Sequence, residues 1–570
     1  MKIKTNMKAT RFYMVIALLM MAGGMMQAQI RIDKQQCFGG YGGDNAFSIV
    51  EEEDFLLIAG NIEPSTIGTG QVQCASNTPR TWVAKISKDN YEFLDGWCFD
   101  IMGQFVKIFK DENADGEYFL VGQWNCYGAR NLTTLKIDSD GNELWRVCFG
   151  NEYGHMYGTG RLYTSDGGII NSGDYTDAGG DVGHIFGGYD GWLIKHDRDG
   201  NLEWELTLGS QALYESVLTV QQASDGGYYV CMQNESYGEG NIRCPEILSN
   251  ATLVKLSQAG EIEWHECYGC ANTAPERQEN SGFIDVVELN DGYLFGGQAN
   301  CNSGDLEGSG WHYGTLNNSP NGPYTSDIWL WKVDNNRNII WSKCYGGSDN
   351  DFLQKTFRTE DGGFIVFGNT HSRNGDVASA SHINLDEWNE GVGWIFRIDA
   401  NGNLLWERCL GSAGGAGSTS ITDVIKHNDR EYTVLGNLIC PPSGSSGDVN
   451  CTNCAQLSNP EFPHHLKDYW LFHITDTVDY STLSVPEMPI QQEASAEIYP
   501  NPTNNTVCVV LPNEAEATEM ELVNMSGQVV AAKTFSGKSS WIEMGDLPKG
   551  MYMLRIRNAE ICLTRKVLRE

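Results

Sequence analysis

The chain has 570 residues, a formal net charge of −35 and only 20% charged residues, but 16 Trp, 24 Tyr and 65 Gly. This length exceeds one ordinary compact domain, and the aromatic and glycine content is typical of strands joined by tight turns rather than of helical or disordered chains. Because a strongly acidic surface repels phosphate backbones, the composition excludes nucleic acid as a partner.

The first 28 residues combine a basic start with an apolar run that ends before Gln-Ala-Gln. This pattern predicts a secretory signal peptide over 1–28, cleaved near Ala28. No later run approaches the roughly 20 apolar residues that span a bilayer, so we predict no transmembrane segment in the mature chain. In an exported protein, the 17 cysteines are interpreted first as disulfide partners.

One four-strand pattern recurs seven times between residue 30 and about residue 478. In residues 103–150 it reads QFVKIFK, EYFLVGQW, NLTTLKID and ELWRVCFG, with Gly-containing turns between the runs. Alternating apolar residues separated by such turns predict four antiparallel strands joined by hairpins. The fourth run is missing after the seventh copy, and residues 30–40, IRIDKQQCFGG, supply a matching run.

These runs predict an all-β protein whose main part, residues 29–478, is a seven-bladed β-propeller closed by its N-terminal strand. Closure removes the unpaired edges of an open array, and the capping units that a solenoid requires are not visible. An open solenoid and a division into two smaller domains remain the alternatives. A linker at 479–496 and a small β-sandwich at 497–570 follow.

Cysteines recur at two places in the pattern, the end of the fourth run and the link between the second and third runs. Both places lie on the same rim of an up-down-up-down blade, so their cysteines can pair within one blade. Across the closure, this predicts a bond from Cys37 to Cys440. The other predicted pairs are Cys74 with Cys98, Cys126 with Cys148, Cys244 with Cys267 and Cys301 with Cys344, while Cys231, Cys270 and Cys409 have no assigned partner.

The link between the second and third runs is long in six of the seven copies. Insertions at one position of each repeat crowd one rim and commonly form its binding face. Aromatic rings beside amides and carboxylates suit sugars, so we predict an extracellular glycan or protein ligand at this rim. The alternative is that the rings pack the loops onto the blades. The candidate ligand-binding residues are Trp124, Tyr127, Trp311, Tyr313 and Trp388.

A Gly-Asp-aliphatic step recurs in four links, and an Asp stands two residues before three of the third-run tryptophans. Oxygen ligands of this kind could hold calcium. We favour Asx-turn capping, which needs no metal, and predict no cofactor. The residues are Asp181, Asp305, Asp376 and Asp448 in the links, and Asp190, Asp327 and Asp468 before the tryptophans.

The C-terminal segment carries a distinct set of motifs: YPNP at 499–502, SGQ at 526–528, LPKGMY at 547–552 and RKV at 565–567. Residues 497–570 resemble the C-terminal sorting domain of the type IX secretion system of Gram-negative bacteria. The resemblance implies transfer across the outer membrane by that machinery, removal of the tail, and release or surface attachment. The repeats resemble propellers of other secreted proteins with this tail. The implied sorting residues are Tyr499, Pro500, Asn501, Pro502, Gly527, Gly550, Tyr552 and Lys566.

Enzyme signatures are thin, because the sequence contains no Gly-x-Ser-x-Gly, no His-Glu-x-x-His and no phosphate-binding loop. We therefore nominate no catalytic residue. The predicted function is a secreted or cell-surface propeller that binds an extracellular ligand. A polysaccharide-acting glycoside hydrolase or lyase, and a purely structural surface protein, are the alternatives.

Overall fold

The structure is a computed structural model of the full chain, which divides into two compact units, Met1–Val478 and Asp479–Glu570. The predicted signal peptide and linker lie outside the described residues. The structure describes residues 30–40, 42–63, 69–74, 80–153, 158–211, 214–234, 239–244, 248–271, 281–312, 325–379, 391–411, 418–439, 445–450, 467–478, 497–524, 529–545, 547–557 and 562–569.

In its described ranges, the N-terminal unit contains seven four-stranded antiparallel sheets. Sheet 1 holds β2 (Asn45–Glu51), β3 (Phe55–Asn61), β4 (Thr81–Ser87) and β5 (Phe93–Phe99). Sheet 2 holds β6 (Met102–Lys110), β7 (Tyr118–Cys126), β8 (Ala129–Ile137) and β9 (Glu143–Phe149). Sheet 3 holds β10 (Arg161–Tyr163), β11 (Ile169–Tyr175), β12 (Asp190–His196) and β13 (Leu202–Leu208).

Sheets 4 to 6 continue in chain order. Sheet 4 holds β14 (Glu215–Gln222), β15 (Tyr228–Asn234), β16 (Leu248–Leu256) and β17 (Ile262–Ala271). Sheet 5 holds β18 (Ser281–Leu289), β19 (Gly292–Ala299), β20 (Asp327–Asp334) and β21 (Ile339–Tyr345). Sheet 6 holds β22 (Asp351–Arg358), β23 (Phe364–Thr370), β24 (Val392–Ile398) and β25 (Leu404–Leu410).

Sheet 7 joins the two ends of this unit. It contains β26 (Thr419–Lys426), β27 (Glu431–Ile439) and β30 (Lys467–Asp476), and its fourth strand is β1 (Ile30–Phe38). β1 pairs with β30 from Ile30 opposite Asp476 to Phe38 opposite Tyr469. The short strands β28 (Ser445–Ser446) and β29 (Val449–Asn450) form a hairpin in the sheet 7 link.

Each sheet contacts the next one in chain order, and sheet 7 contacts sheet 1 through β26 and β27 against β2. The buried apolar residues lie at these junctions. Phe38 and Tyr469 of sheet 7 share one cluster with Ala46 and Ile58 of sheet 1. The N-terminal unit therefore has a propeller-like series of cores between sheets rather than one central core.

All seven sheets use one register between their third and fourth strands. In five of them a buried tryptophan of the third strand stands opposite the end of the fourth strand, as in Trp82 opposite Cys98 and Trp470 opposite Cys37. Sheets 2 and 4 have a threonine at the tryptophan position. Sheet 3 has Thr207 at the cysteine position. The remaining pairs are Thr133 with Cys148, Thr252 with Cys267, Trp329 with Cys344 and Trp394 with Cys409.

The recurring Asp-Gly turn between the first and second strands has an electrostatic role. An aspartate of the turn forms an ion pair with a cation of the third strand in the same sheet, as in Asp111, the first residue of the sheet 2 turn, with Lys136 at 2.8 Å. The cation is buried, so the ion pair compensates its loss of hydration. The equivalent pairs are Asp166 with Lys195, Asp225 with Lys255, Asp291 with Lys332 and Asp361 with Arg397.

The glycine of the turn between the third and fourth strands packs on the preceding sheet. Gly141 has a φ of 77°, and a Cβ added there would stand less than 3.0 Å from the Trp97 ring. Gly260 lies against Trp204 in the same way. Sheet 5 has Arg337 at this position, and its guanidinium stacks 4.7 Å above Trp264. The fourth-strand tryptophan of one sheet therefore packs against the turn of the next sheet, which accounts for the recurrence of both in the repeat.

Disulfides staple several links to strand ends. The structure contains Cys74–Cys98, Cys126–Cys148 and Cys244–Cys267, three of the pairs predicted from the sequence. Cys37 is disulfide-bonded, and its predicted partner Cys440 lies outside the described residues. The thiols of Cys231, Cys344, Cys409 and Cys508 are free and buried.

The predicted pair Cys301–Cys344 is wrong, because Cys301 pairs with Cys270. β17 extends far enough to bring Cys270 to the start of the sheet 5 link, with its Cα 6.1 Å from that of Cys301. That link then forms a 3₁₀ helix, Gly304–Leu306, and places Ser309 against Cys344. The Ser309 carbonyl accepts a hydrogen bond from the Cys344 amide at 2.9 Å. The Cys270–Cys301 disulfide thus joins sheet 4 to sheet 5, instead of linking two parts of one sheet.

The C-terminal unit has five strands: β31 (Glu497–Tyr499), β32 (Thr506–Asn524), β33 (Val529–Glu543), β34 (Gly550–Arg557) and β35 (Cys562–Arg569). β32 pairs with β31 through its first part, with β34 through its second part and with β33 along both. Apolar residues of both parts, such as Val507 and Leu522, share one buried core with Leu554.

Candidate functional site: the rim and the channel

Of the five aromatic residues predicted for the rim, the three that the structure describes do not assemble into one site. Trp124 is half-buried under the guanidinium of Arg146, 4.7 Å from its ring. Tyr127 is 57% exposed on the same sheet 2 link. Trp311, on the sheet 5 link, packs against the core and donates its indole N–H to the Thr325 carbonyl at 3.1 Å. Tyr313 and Trp388 lie outside the described residues.

Instead, the described rim holds a repeated hydrogen bond between neighbouring sheets, which we call the latch. A side-chain oxygen in the link accepts from the amide of a glycine near the end of the preceding sheet's fourth strand, at 3.0 to 3.3 Å. The next residue in the link is a buried aliphatic one. The latches are Gln71 to Gly39, Asp181 to Gly150, Asn241 to Gly209, Asp305 to Gly269, Asp376 to Gly346 and Asp448 to Gly411.

The latch gives the Gly-Asp-aliphatic step a structural role. In five of the six latches the acceptor residue also donates its own amide to the same glycine carbonyl, as Asp181 does at 2.9 Å. Two of the acceptors, Gln71 and Asn241, are uncharged, so the geometry needs an oxygen and not a charge. Within the described ranges, no group of three or more His, Cys, Asp or Glu side chains is placed to hold a metal ion. That the chain needs no cofactor therefore stays a prediction, with calcium as the alternative.

We expect the Asp181→Ala substitution to lower the free energy of unfolding by about 1–2 kcal/mol, because it leaves the Gly150 amide without its acceptor. Asp181→Asn keeps the oxygen and should retain most of that stability. Urea unfolding of both variants measures the difference. Equal loss in both variants would show that the charge, not the hydrogen bond, matters.

A cavity of about 1400 Å³ runs along the first strands of all seven sheets, and we call it the channel. Its wall includes residues of β2, β6, β10, β14, β18, β22 and β26. Five acidic and five basic side chains line it, although acids outnumber bases 74 to 39 in the whole chain. The channel is therefore electrostatically distinct from the acidic exterior.

Most cations of the channel are compensated. Lys107 pairs with Asp423 at 3.2 Å, Lys355 with Asp285 at 3.2 Å, and Lys110 with Glu52 at 2.7 Å. Arg358 is exposed at the end of β22. The fifth cation is Arg161, the first residue of β10.

Polar side chains of the channel wall also bond neighbouring sheets together. Asp285 of sheet 5 accepts from the Thr356 amide of sheet 6 at 2.7 Å, for example. The other bonds are Ala46 to Asn437, Ile108 to Ser48, Thr159 to the Leu218 carbonyl, Val286 to Gln221 and Ile421 to Asn369. These bonds occupy the polar atoms concerned, so they are structural.

Arg161 is different, because it is buried without an acidic partner. Its side chain is 7% exposed, and Nη1 donates only to the Thr159 carbonyl at 3.2 Å. Among the residues that the structure describes, Nε and Nη2 have no hydrogen-bond partner. Burial lowers the pKa of the guanidinium to about 10, so it stays protonated at neutral pH. An uncompensated buried charge of this kind costs several kcal/mol.

The residue opposite Arg161 is also polar and unsatisfied. Asn171 of β11 stands opposite Arg161 in the register, is 1% exposed, and has no partner for Oδ1 or Nδ2. The equivalent cross-strand pairs elsewhere are mainly apolar. They are Ile49 with Ile58, Ile108 with Leu120, Val220 with Val230, Val286 with Phe295, Thr356 with Val366 and Val424 with Val434. Sheet 3 alone replaces this pair with Arg and Asn.

Sequence reasoning missed Arg161. The first run of the third copy, GTGRLYTSDGG, is the shortest in the repeat and has an arginine five residues before the Asp of its turn. The fourth copy has Val220 at that place. An ionised residue at an apolar repeat position was the available signal.

The C-terminal unit was compared with protein families. Residues 497–570 match the model of the secretion system C-terminal sorting domain. This segment is a type IX C-terminal sorting domain. The sorting domain indicates a secreted or outer-surface protein that interacts with the type IX machinery. Within the described ranges, no helix has the length and apolar character needed to cross a membrane.

Several implied sorting residues stabilise the sorting domain itself. Tyr552 is buried and donates its hydroxyl to the Pro548 carbonyl at 2.7 Å. Asn501 accepts from the Leu568 amide at 2.9 Å, which ties the opening motif to β35. Gly550 begins β34. Tyr499 ends β31, and Pro500 and Pro502 flank Asn501 in the opening motif. Lys566 lies in β35 opposite Met553 of β34. Gly527 lies outside the described residues.

Solved structures similar to this chain share little sequence with it. A Dyadobacter fermentans protein of unknown function is 10% identical, with a TM-score of 0.36 over 78% of this chain and 99% of that one. Sqt1 from Chaetomium thermophilum is 8% identical, with a TM-score of 0.35 over 72% and 97%. A DUF4221 member from Bacteroides vulgatus is 7% identical, with a TM-score of 0.32 over 79% and 99%. No curated protein sequence matches the chain.

Proposed function

We propose that residues 29–478 form a seven-bladed β-propeller, closed by its N-terminal strand, that binds an anionic extracellular ligand in its central channel. In this proposal the chain of a Gram-negative bacterium is exported with the signal peptide 1–28 and then passed outward by the sorting domain. The sorting tail is removed before release or surface attachment.

Three observations support the closed propeller. Seven four-stranded sheets follow one another, and β1 completes the last of them. One cavity is lined by the first strand of every sheet. The latch from Gln71 to Gly39 joins sheet 1 to sheet 7 in the same way as the latches between consecutive sheets. A linear array would leave sheets 1 and 7 without this shared contact.

The single observation that carries ligand binding is the uncompensated guanidinium of Arg161 at the channel wall. A structural role would be better served by the apolar residue found in other sheets, because a buried unpaired charge destabilises the fold. An anion that binds Arg161 supplies the missing partner. The channel is favoured over the rim because the described rim aromatics are packed or separated from one another.

We expect Arg161→Gln to weaken binding of acidic ligands and to leave the fold intact or more stable. Loss of a charge-assisted bond weakens binding by about 1.5–3 kcal/mol, which is at least tenfold in Kd. A glycan and acidic-peptide array with the mature protein identifies ligands, and calorimetric titration compares wild type with Arg161→Gln. Thermal unfolding checks the fold.

Arg358→Gln is the matched control, because it removes one exposed positive charge from the same channel. It should reduce binding only slightly and mainly at low salt. If Arg161→Gln binds acidic ligands as tightly as wild type does, the channel assignment is wrong. If no anion binds the wild-type protein, the proposed function is wrong.

A further inference from the structure

Acidic side chains are matched across three junctions between sheets, counting sheet 1 as the sheet that follows sheet 7. One acid lies on a third strand, two residues before its tryptophan position, and the other lies three residues before the bulge in the next sheet's first strand. At the two other junctions with this bulge, neither place holds an acid, so the acids occur together or not at all. The matched pairs are Asp468 with Asp44, Asp190 with Glu215 and Asp327 with Asp351, and the neutral pairs are Asn250 with Ser281 and Val392 with Thr419.

The backbone holds the two members of each acidic pair together in the same way. The amide of the first-strand acid donates to the carbonyl of the residue before the third-strand acid, as the Asp351 amide does to the Ser326 carbonyl at 2.6 Å. A junction with a neutral pair has this bond too, so the bond does not require the acids and the acids serve another purpose. The equivalent bonds are Asp44 to Lys467, Glu215 to Tyr189 and, at the neutral junction, Thr419 to Gly391.

The carboxyl groups of two pairs converge beneath a latch glycine. A Cβ on Gly346 would stand 2.3 Å from Oδ2 of Asp351 and 2.9 Å from Oδ1 of Asp327. The pair at sheets 7 and 1 converges beneath Gly39 at the same two distances. All four acidic side chains are buried. Two ionised carboxylates this close in a buried site would repel each other and would both lose their hydration.

Hydrogen bonds fix one oxygen of each acid at the junction of sheets 5 and 6. Oδ2 of Asp351 accepts from the Gly347 amide and from the Ser372 hydroxyl, both at 2.9 Å. Oδ2 of Asp327 accepts from the amide and the imidazole of His312. Among the described residues, Oδ1 of Asp327 has no hydrogen-bond partner, although it converges with Asp351 on one glycine. A donor is missing there, and a protonated carboxyl group on Asp351 supplies one.

The other ionisable groups nearby compensate only part of the charge of these pairs. At sheets 5 and 6 the His312 imidazole faces three carboxyl groups, because its Nε2 lies 4.0 Å from the Asp376 carboxylate as well as next to the pair. Burial raises the pKa of Asp351 well above its usual value, and the charge of its partner adds to this. The same two causes raise the pKa of Asp468. Burial also raises the pKa of three further side chains that face the pairs and are neutral at pH 7, Cys344, Cys409 and Tyr469.

We propose that Asp327 with Asp351, and Asp468 with Asp44, each hold one proton between their carboxyl groups at neutral pH, and that loss of this proton in alkaline solution loosens the two junctions. We call these junctions the acid seams. A proton needs no further ligands, whereas in the described part of the chain no group of three His, Cys, Asp or Glu side chains is placed to hold a metal ion. When both members of a pair ionise, two charges face each other in a buried site and push the sheets apart. The acid seams lie at the rim, so this inference does not depend on ligand binding in the channel.

Hydrogen–deuterium exchange of the wild-type mature protein, followed by mass spectrometry of its peptides, tests the acid seams without any substitution. The Thr419 amide is the internal control, because its junction has the same backbone bond without the acids. Relative to that amide, the protection factors of the Asp351 and Asp44 amides should fall at least about tenfold between about pH 6 and about pH 9. The same change at all three amides would overturn the proposal.

Substitutions then assign the effect to each pair. Asp351→Asn should abolish the fall in protection at its own seam and leave the other seam unchanged, because a carboxamide donates as a protonated carboxyl does and cannot ionise. Asp468→Asn should do the reverse, and it decides the question by itself if the first variant does not fold. Asp199→Asn, at an exposed position, should alter neither seam.

A metal ion in place of the proton gives a different result. Wild type is compared at about pH 8 in calcium chloride and in a chelator, with the same exchange measurement. Equal protection in both solutions is expected, because a shared proton does not depend on calcium. Higher protection of the Asp351 and Asp44 amides in calcium, lost in the Asp351→Asn and Asp468→Asn variants, would show that the pairs bind a cation and would overturn the proposal.

Discussion

A chain that begins at Gly39, and so lacks β1, should lose the cooperative unfolding of the N-terminal unit. β30 would then be an exposed edge, and the buried Trp470, whose indole N–H bonds Gln35 of β1 at 3.1 Å, would face solvent. The removed strand also buries Cys37 and Phe38 completely. We expect a loss greater than the ~3–5 kcal/mol of truncating one buried aromatic side chain.

Denaturant unfolding followed by tryptophan fluorescence measures this effect against the chain that begins at residue 29. Cys37→Ser in that longer chain separates the strand from its disulfide and should cost less than the deletion. A synthetic peptide of residues 30–40 should restore part of the stability of the shortened chain by occupying the edge of β30. If the shortened chain unfolds at the same midpoint with the same cooperativity, β1 does not close the propeller.

The stability of the N-terminal unit should fall as pH rises from about 4 to 7, in part through Asp174. Burial raises the pKa of this carboxyl from 3.8 to about 7. Asp174 is fully buried, bonds Ser216 at 2.7 Å through one oxygen and has no partner for the other. The folded state therefore retains a proton that the unfolded state releases. The stabilisation is complete below pH 3.8 and is lost as pH approaches 7.

We expect Asp174→Asn to remove this dependence, because the amide keeps an oxygen for Ser216 and cannot ionise. Between pH 4 and 7.5 the variant should gain on wild type by up to about 4 kcal/mol, at 1.36 kcal/mol for each pKa unit. Urea unfolding at several pH values measures the gain. Asp115→Asn, at an exposed position, is the control and should run parallel to wild type. A constant difference between Asp174→Asn and wild type would show that Asp174 does not titrate in this range.

Asp327 and Asp351 of the rim should add to the same fall in the free energy of unfolding as pH rises. Both are fully buried, and one oxygen of each lies less than 3.0 Å from where a Cβ on Gly346 would stand. Burial raises the pKa of Asp327 to about 6, and burial together with the Asp327 charge raises that of Asp351 well above its usual value. His312 bonds Asp327 at 2.9 Å, which raises the pKa of the imidazole in turn.

The sequence predicted those features of the fold that depend on residues close together in the chain or on the repeat. The strand runs, the place of Cys98 opposite Trp82 and the matching fourth run at residues 30–40 are periodic features, so one copy explains the others. The aspartates of the links were noticed, but their role was not. A latch joins residues of different sheets, and spacing along the chain does not reveal which glycine amide an aspartate meets.

The error at Cys301 has a similar cause. The pairing rule assumed that every link closes its own sheet, whereas β17 extends to Ala271 and brings Cys270 within reach first. Which of two cysteines is nearer depends on strand length and link path. Neither follows from the positions of the cysteines in the repeat.

The sequence by itself determined the all-β class, the repeat of four strands, the contribution of both ends to sheet 7 and the sorting domain. These features follow from the spacing of apolar residues and from motifs of neighbouring residues. Only the tertiary structure decided that the link aspartates are latches and that Arg161 lies at a channel wall without an acidic partner. The reason is physical: compensation of a charge depends on burial and on neighbours brought from distant sheets, and neither is a property of the local sequence.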